Sequence, residues 1–197
     1  MIRARFPKME GSLESFIRIC HRLYEKGLVC AYDGNVSMRF GEYILITPTH
    51  LCKGDVTIDD LIVIDKEGKT VFGGRRPSSE AKMHLAVYEA SSSLQCVVHA
   101  HPLYATAIYR GQREVHPEIL MEARMSLGAV PVIPYIETGT RELAEAVGRA
   151  VQHGAHVCML EKHGAVACGE KLEETYFLIE SLERLAKTEY IVGNTNF

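Results

Sequence analysis

Gln95-Cys96-Val97-Val98-His99-Ala100-His101 is the stretch on which the fold of this chain turns. An apolar run leading into His-x-His reads as a strand over residues 95–99, at whose end side chains two apart face the same way. Two imidazoles placed so can meet one metal ion, although an ordinary strand edge carries the same pattern. A second segment has a related form: Val157-Cys158-Met159-Leu160 precedes Lys162-His163-Gly164-Ala165-Val166, so His163 also sits where a strand ends or turns at a glycine. Glu80, in Ser78-Ser79-Glu80, completes a set of three histidines and a carboxylate. Imidazole nitrogens and a hard oxygen suit zinc, and a displaceable ligand leaves room for substrate. The expected output is metal-assisted chemistry.

Outward from these segments, the helical spacing of Leu13, Phe16, Ile17, Cys20, Leu23 and Tyr24 predicts a helix that Gly27 can cap. Residues 36–40 and 43–47 read as a hairpin around Gly41, with further strands at 61–64 and 70–72. After Pro77, the serine pair marks a helix start, and the helix runs to about Ala90. Pro102 opens another helix, and a further one lies around 118–125. Residues 129–133 read as a strand, 139–152 as a helix, and 157–160 and 165–168 as strands. The last helix runs from Leu172 to about Ile191, with Leu172, Thr175, Tyr176, Ile179, Leu182 and Leu185 on one stripe. The sum is a layered α/β domain whose hairpins make its sheet at least partly antiparallel.

At 197 residues and 47% hydrophobic, the chain is long enough for one well-packed domain over residues 1–197. The net charge is −3, and no run of Lys and Arg offers a surface for nucleic acid or acidic membrane. The charged start, Met1 to Pro7, is followed by no apolar signal region, and no stretch approaches the roughly 20 apolar residues of a membrane span. A soluble cytoplasmic protein is expected. Six cysteines without a C-x-x-C pair, four of them inside apolar patterns, read as reduced core thiols.

Gly34-Asn35-Val36-Ser37, Thr47-Pro48-Thr49 and Ser78-Ser79 are short segments of small, hydrogen-bonding residues at element boundaries. Singly each is an ordinary turn or cap. Beside a metal set they also suit a phosphate, because glycine admits close backbone approach and a helix start offers hydroxyls and amides.

These motifs, with Ile46-Thr47-Pro48-Thr49, Pro77-Ser78-Ser79-Glu80, Gly139-Thr140-Arg141-Glu142-Leu143 and His163-Gly164, run in one order from about Phe16 to Tyr190. Jointly the chain resembles the zinc-dependent class II sugar-phosphate aldolases of the L-fuculose-1-phosphate aldolase and L-ribulose-5-phosphate 4-epimerase superfamily. The resemblance implies a three-layer α/β/α fold with a largely antiparallel central sheet, assembled as a homotetramer with sites at subunit interfaces. It implies one zinc ion per subunit on His99, His101, His163 and Glu80, with Glu80 also the catalytic acid/base. Substrate phosphate would lie against Gly34, Asn35, Thr49, His50, Ser78 and Ser79, His50 standing where glycine is usual. The implied reaction is reversible cleavage of a ketose 1-phosphate, such as L-fuculose 1-phosphate, to dihydroxyacetone phosphate and a short aldehyde such as lactaldehyde. Position 80 separates the relatives: pentulose-phosphate 4-epimerases usually carry Asp there, and methylthioribulose-1-phosphate dehydratases no acid. The dehydratases do have a His-x-Glu like His116-Pro117-Glu118, and adducin heads, which are interaction modules, lack the metal histidines. Two further departures are Tyr32, where threonine is common, and Leu120, near the place of an aldolase tyrosine. The chain also stops at Phe197, short of the tail that helps close the aldehyde side in bacterial relatives.

Overall fold

The computed structural model describes residues 2–111 and 115–194; the expected domain, 1–197, extends outside them at 1, 112–114 and 195–197. Along the chain lie α1 (Ile2–Arg5), α2 (Glu10–Glu25), β1 (Asn35–Phe40), β2 (Tyr43–Ile46), β3 (Ile62–Asp65), β4 (Thr70–Phe72), α3 (Ala81–Ala90), β5 (Cys96–Ala100), α4 (Leu103–Ile108), α5 (Met121–Leu127), β6 (Val132–Ile133), α6 (Arg141–Gln152), β7 (Val157–Leu160), β8 (Gly164–Gly169) and α7 (Leu172–Asn194). The strands form one sheet in the order β4-β3-β2-β1-β5-β8-β7-β6. Every neighbouring pair is antiparallel except β6 and β7.

Helices cover both faces, so the central strands are apolar at successive positions and their alternation decides only which layer a side chain joins. Val36, Leu45, Val63, Val98 and Met159 join the layer of α2, α4, α5 and α7, whereas Ile44, Ile62, Val97, Cys158 and Val166 join that of α3 and α6. This is the α/β/α arrangement with a mostly antiparallel sheet. In α7 the expected stripe is buried: Tyr176, Ile179, Leu182 and Leu185 are fully covered, and each such burial is worth about 1.5–3 kcal/mol. No helix among the described residues is long and apolar enough to cross a membrane.

Local chemistry sets the boundaries. Helix α2 ends in a left-handed glycine cap: Gly27 has φ +67°, its amide donates to Tyr24 O, and the Leu28 amide donates to Leu23 O. The expected strand at 129–133 shrinks to two residues, because Pro131 and Pro134 bracket it and neither can donate to a ladder. The helix expected around 118–125 begins instead at Met121; Pro117–Ile119 form a 3-10 turn and extended Leu120 resets the chain. Helix α6 starts at Arg141 rather than at Gly139, which is left-handed at φ +72°, and the Thr140 side chain caps the Leu143 amide.

Candidate metal centre

Strand β5 lies in mid-sheet, with His99 registered between Asn35 of β1 and Val166 of β8. The imidazole of His99 is wholly buried on the α3/α6 face. Two residues on, past the strand end, the His101 amide donates to Leu28 O at 2.9 Å, which keeps this segment beside the chain leaving α2. His163 comes from the tight turn between β7 and β8, where Lys162 is left-handed (φ +60°) and the His163 amide donates to Leu160 O at 3.0 Å. Gly164 is required by close approach: a Cβ there would sit 2.4 Å from Ala100 O and 2.7 Å from His101 Cδ2. Gly34 is required twice over, by φ +68° and because a Cβ would meet Val29 at 2.5 Å and His99 O at 2.9 Å.

The three histidines converge. His99 Nε2 lies 3.0 Å from His101 Nε2 and 3.2 Å from His163 Nε2, and the ligand atoms of all three fall within 4.8 Å of one another. His99 Nδ1 is 3.0 Å from Ala165 O. A carbonyl only accepts, so Nδ1 carries the proton and neutral His99 presents an Nε2 lone pair to its neighbours. Imidazole nitrogens aimed at one another in this way need a cation or a proton between them. Glu80, the residue preceding α3, stands beside two of the three, with Oε2 at 3.2 Å from His99 Nε2 and Oε1 at 3.4 Å from His163 Nε2. Its buried Oε1 has no hydrogen-bond partner among the described residues. Three imidazoles and a carboxylate oxygen left without a hydrogen bond fit a divalent ion.

The electrostatics couple the carboxylate to the histidines. Burial opposes the charge on Glu80, but His99 and the Asn35 amide outweigh it and hold the carboxyl well below the usual carboxylate range. Burial likewise opposes a charge on His99, and Glu80 outweighs it upward. Burial, with His99 beside it, pushes His163 down to about 4, so its imidazole is neutral at ordinary pH. Asp33 lies behind His101, with Oδ2 at 3.3 Å from Nδ1 and Oδ1 accepting the Cys30 amide. Partial burial works against its charge, yet these two contacts hold Asp33 below its ordinary range. A carboxylate in this place would fix the ring orientation of a metal-binding histidine.

The segments read as phosphate sites are brought together only in part. Thr47 O accepts the Ser78 amide and Arg76 O accepts the Thr49 amide, so 47–49 and 76–78 run side by side. The Ser78 hydroxyl acts as an ordinary turn cap, accepting the Glu80 amide at 3.2 Å, with its own proton left to donate. Ser79 is exposed, and His50 is left-handed at φ +55° with its ring against Tyr32. The Asn35 side chain is committed elsewhere: Nδ2 donates to Glu80 Oε2 at 2.9 Å and Oδ1 accepts from His84 Nε2. Glu118 is exposed and pairs with His116 at 3.2 Å, on a turn packed against α5 and α7.

The sequence reading reaches Ser37 only within Gly34-Asn35-Val36-Ser37 and does not reach Asp33, His84 or Tyr88 as site residues. The signal for two of them was there: Glu80, His84 and Tyr88 are spaced i, i+4, i+8 along α3 and so share one helix face. Burial pushes the His84 imidazole down to about 3. An unfolded chain takes up this proton below about 6.5 and the folded chain does not, so stability is lost as pH falls from 6.5 toward 3, at no more than about 1.4 kcal/mol per pH unit. In urea titrations of metal-free protein from about pH 7 to 5, the parent should therefore lose about 2 kcal/mol more than His84→Gln. Equal losses would mean that His84 is not held neutral in the fold.

An α/β/α domain bearing three histidines and a carboxylate at one end of its central strands carries a sheet-borne candidate metal site. Residues 14–190 match the family of class II aldolase and adducin N-terminal domains, and the chain belongs to that family. It is 36% identical over 182 residues to the L-fuculose phosphate aldolase of Methanococcus maripaludis strain S2, covering 92% of this chain and 98% of that one. It is 34% identical over 171 residues to the enzyme of the same name from Escherichia coli K12, covering 87% of this chain and 79% of that one. Among solved structures, L-fuculose-1-phosphate aldolase from Thermus thermophilus superposes with a TM-score of 0.82 at 29% identity, covering 94% and 97% of the two chains. YgbL from Klebsiella pneumoniae superposes at 0.84 and 28%, covering 95% and 92%.

Proposed function

We propose that this chain is a single-domain, zinc-dependent aldolase that reversibly cleaves a ketose 1-phosphate, such as L-fuculose 1-phosphate, into dihydroxyacetone phosphate and a short aldehyde such as lactaldehyde. The observation that carries this reading is Glu80: a buried carboxylate kept ionised beside three converging imidazoles, with one oxygen held by Asn35 and the other without a hydrogen bond. His99, His101 and His163, with Glu80 as displaceable ligand, would hold a divalent ion, which would supply Lewis acidity to the developing enediolate. In cleavage the bond between carbons 3 and 4 breaks, its electron pair moves toward the carbon 2 carbonyl, and the carbon 4 hydroxyl loses its proton as the aldehyde forms. That proton passes to solvent, and Glu80, protonated from solvent once substrate has displaced it from the metal, delivers a proton to carbon 3 and removes it again in the condensation direction, so that no net proton is gained or lost. No lysine Schiff base is needed. The names of the relatives support an L-fuculose phosphate substrate, and one ion per subunit in a homotetramer belongs to the same reading on the family resemblance alone. Exposed Leu103, Met121 and Met125 offer apolar surface for such assembly, and six free cysteines suit a reducing cytoplasm.

A coupled assay for dihydroxyacetone phosphate over a panel of ketose 1-phosphates, with and without a chelator, tests the reading. Chelator-sensitive release from L-fuculose 1-phosphate or a close analogue is expected; no release from any member would overturn it. The phosphate is placed against Gly34, Thr49, His50, Ser78 and Ser79, near Asn35. Replacing Ser78 and Ser79 together by alanine should raise KM about tenfold or more with metal content unchanged. An unaltered KM would remove the serines from that site.

A further inference from the structure

The face of α3 that carries Glu80 carries a polar ladder into the core. Four residues of helix rise about 6 Å and two residues of strand about 6.8 Å. Glu80, His84 and Tyr88 therefore stay in step with Asn35 and Ser37 of β1, and each helix side chain meets the next strand one. Tyr88 OH lies 2.6 Å from Ser37 Oγ, Ser37 Oγ 2.7 Å from His84 Nδ1, His84 Nε2 against Asn35 Oδ1, and Asn35 Nδ2 2.9 Å from Glu80 Oε2. All five residues are buried.

The chain has a direction. A carboxylate accepts only, so Asn35 must turn its NH2 to Glu80 and its oxygen to His84. His84 must then donate from Nε2 and accept at Nδ1, which makes Ser37 the donor to His84 and Tyr88 the donor to Ser37. Each link removes a choice from the next: without the His84 donor, the Asn35 amide is free to flip and set its oxygen against the carboxylate. Burial keeps His84 neutral and Tyr88 protonated, as this direction requires.

We propose that His84, backed by Ser37 and Tyr88, is a positioning residue that acts through Asn35 to fix the Glu80 carboxylate, tying Oε2 down and leaving Oε1 for the metal. This rests on the metal-centre reading of Glu80.

The test is a titration of metal-free protein with Co2+ alone, by chelator competition. His84→Leu should weaken binding at least about tenfold, the range of lost outer ligand contacts. His84→Gln, which keeps a donor aimed at Asn35, should stay within about threefold of the parent. In a Glu80→Ala background His84→Leu should change affinity less than about twofold, since the residue through which it acts is gone. A merely structural role would weaken binding equally in both backgrounds and would gain nothing from glutamine. Either result overturns the proposal, as does parent-like affinity in His84→Leu. Should His84→Leu not fold, Asn35→Ala cuts the same chain one link nearer Glu80 and must show the same dependence on Glu80. A protein that binds Co2+ in this pattern yet cleaves no ketose phosphate defeats the aldolase reading and leaves this one standing, and active protein without the pattern does the reverse.

Discussion

Glu80→Gln should keep its metal and lose its turnover. Glutamine preserves size and a possible oxygen ligand but cannot accept a proton, and general acid/base groups contribute about 10²–10⁴-fold. Aldol cleavage and exchange of the carbon 3 proton of dihydroxyacetone phosphate should both fall in that range, while metal analysis stays close to the parent. The paired loss separates a proton-transfer role from a purely ligating one, which would show first as missing metal. Glu118→Gln should do far less, because Glu118 is exposed and engaged with His116, not with the histidine cluster. A silent Glu80→Gln with an inactive Glu118→Gln, and a dehydrated diketone phosphate as product, would replace the aldolase reading with a dehydratase.

The layered fold was legible because its helices and central strands carry different periods: α7 buries the stripe that its sequence shows, and β5 runs apolar up to His99. What the sequence hid is local. A two-residue β6 between prolines has too few positions for a period to show, and the start of α5 depends on where Leu120 turns extended. The histidines could be read because each ends an apolar run, a pattern visible along the chain. The contacts of Asp33 and Ser37 could not, since their partners, His101 and the His84–Tyr88 pair, lie 47 or more positions away in sequence and only the packed fold brings them near. Asn35 was read for a phosphate because it follows a glycine at a boundary. Its register opposite His99 turns its side-chain amide to Glu80.

Removing the metal ligands should reveal a graded site. The His99→Ala, His101→Ala double variant should hold essentially no metal, and its turnover should fall at least about 10³-fold, because Lewis-acid stabilisation is worth several kcal/mol and each 1.36 kcal/mol is tenfold in rate. Full occupancy in that variant would sink the assignment of the ligands. The single variants should not be equal. His99 has its Nδ1 proton on Ala165 O and Glu80 beside it, and His101 has Asp33, whereas the buried Nδ1 of His163 has no hydrogen-bond partner among the described residues. A partner on the far nitrogen fixes ring orientation and raises basicity. His163 is thus the least supported ligand, and burial with His99 alongside lowers its basicity. Metal affinity should therefore fall most for His99→Ala, where a supported ligand and the anchor of Glu80 go together, and least for His163→Ala; the reverse order in a chelator-competition titration would mean that His163 gains its support from outside this chain.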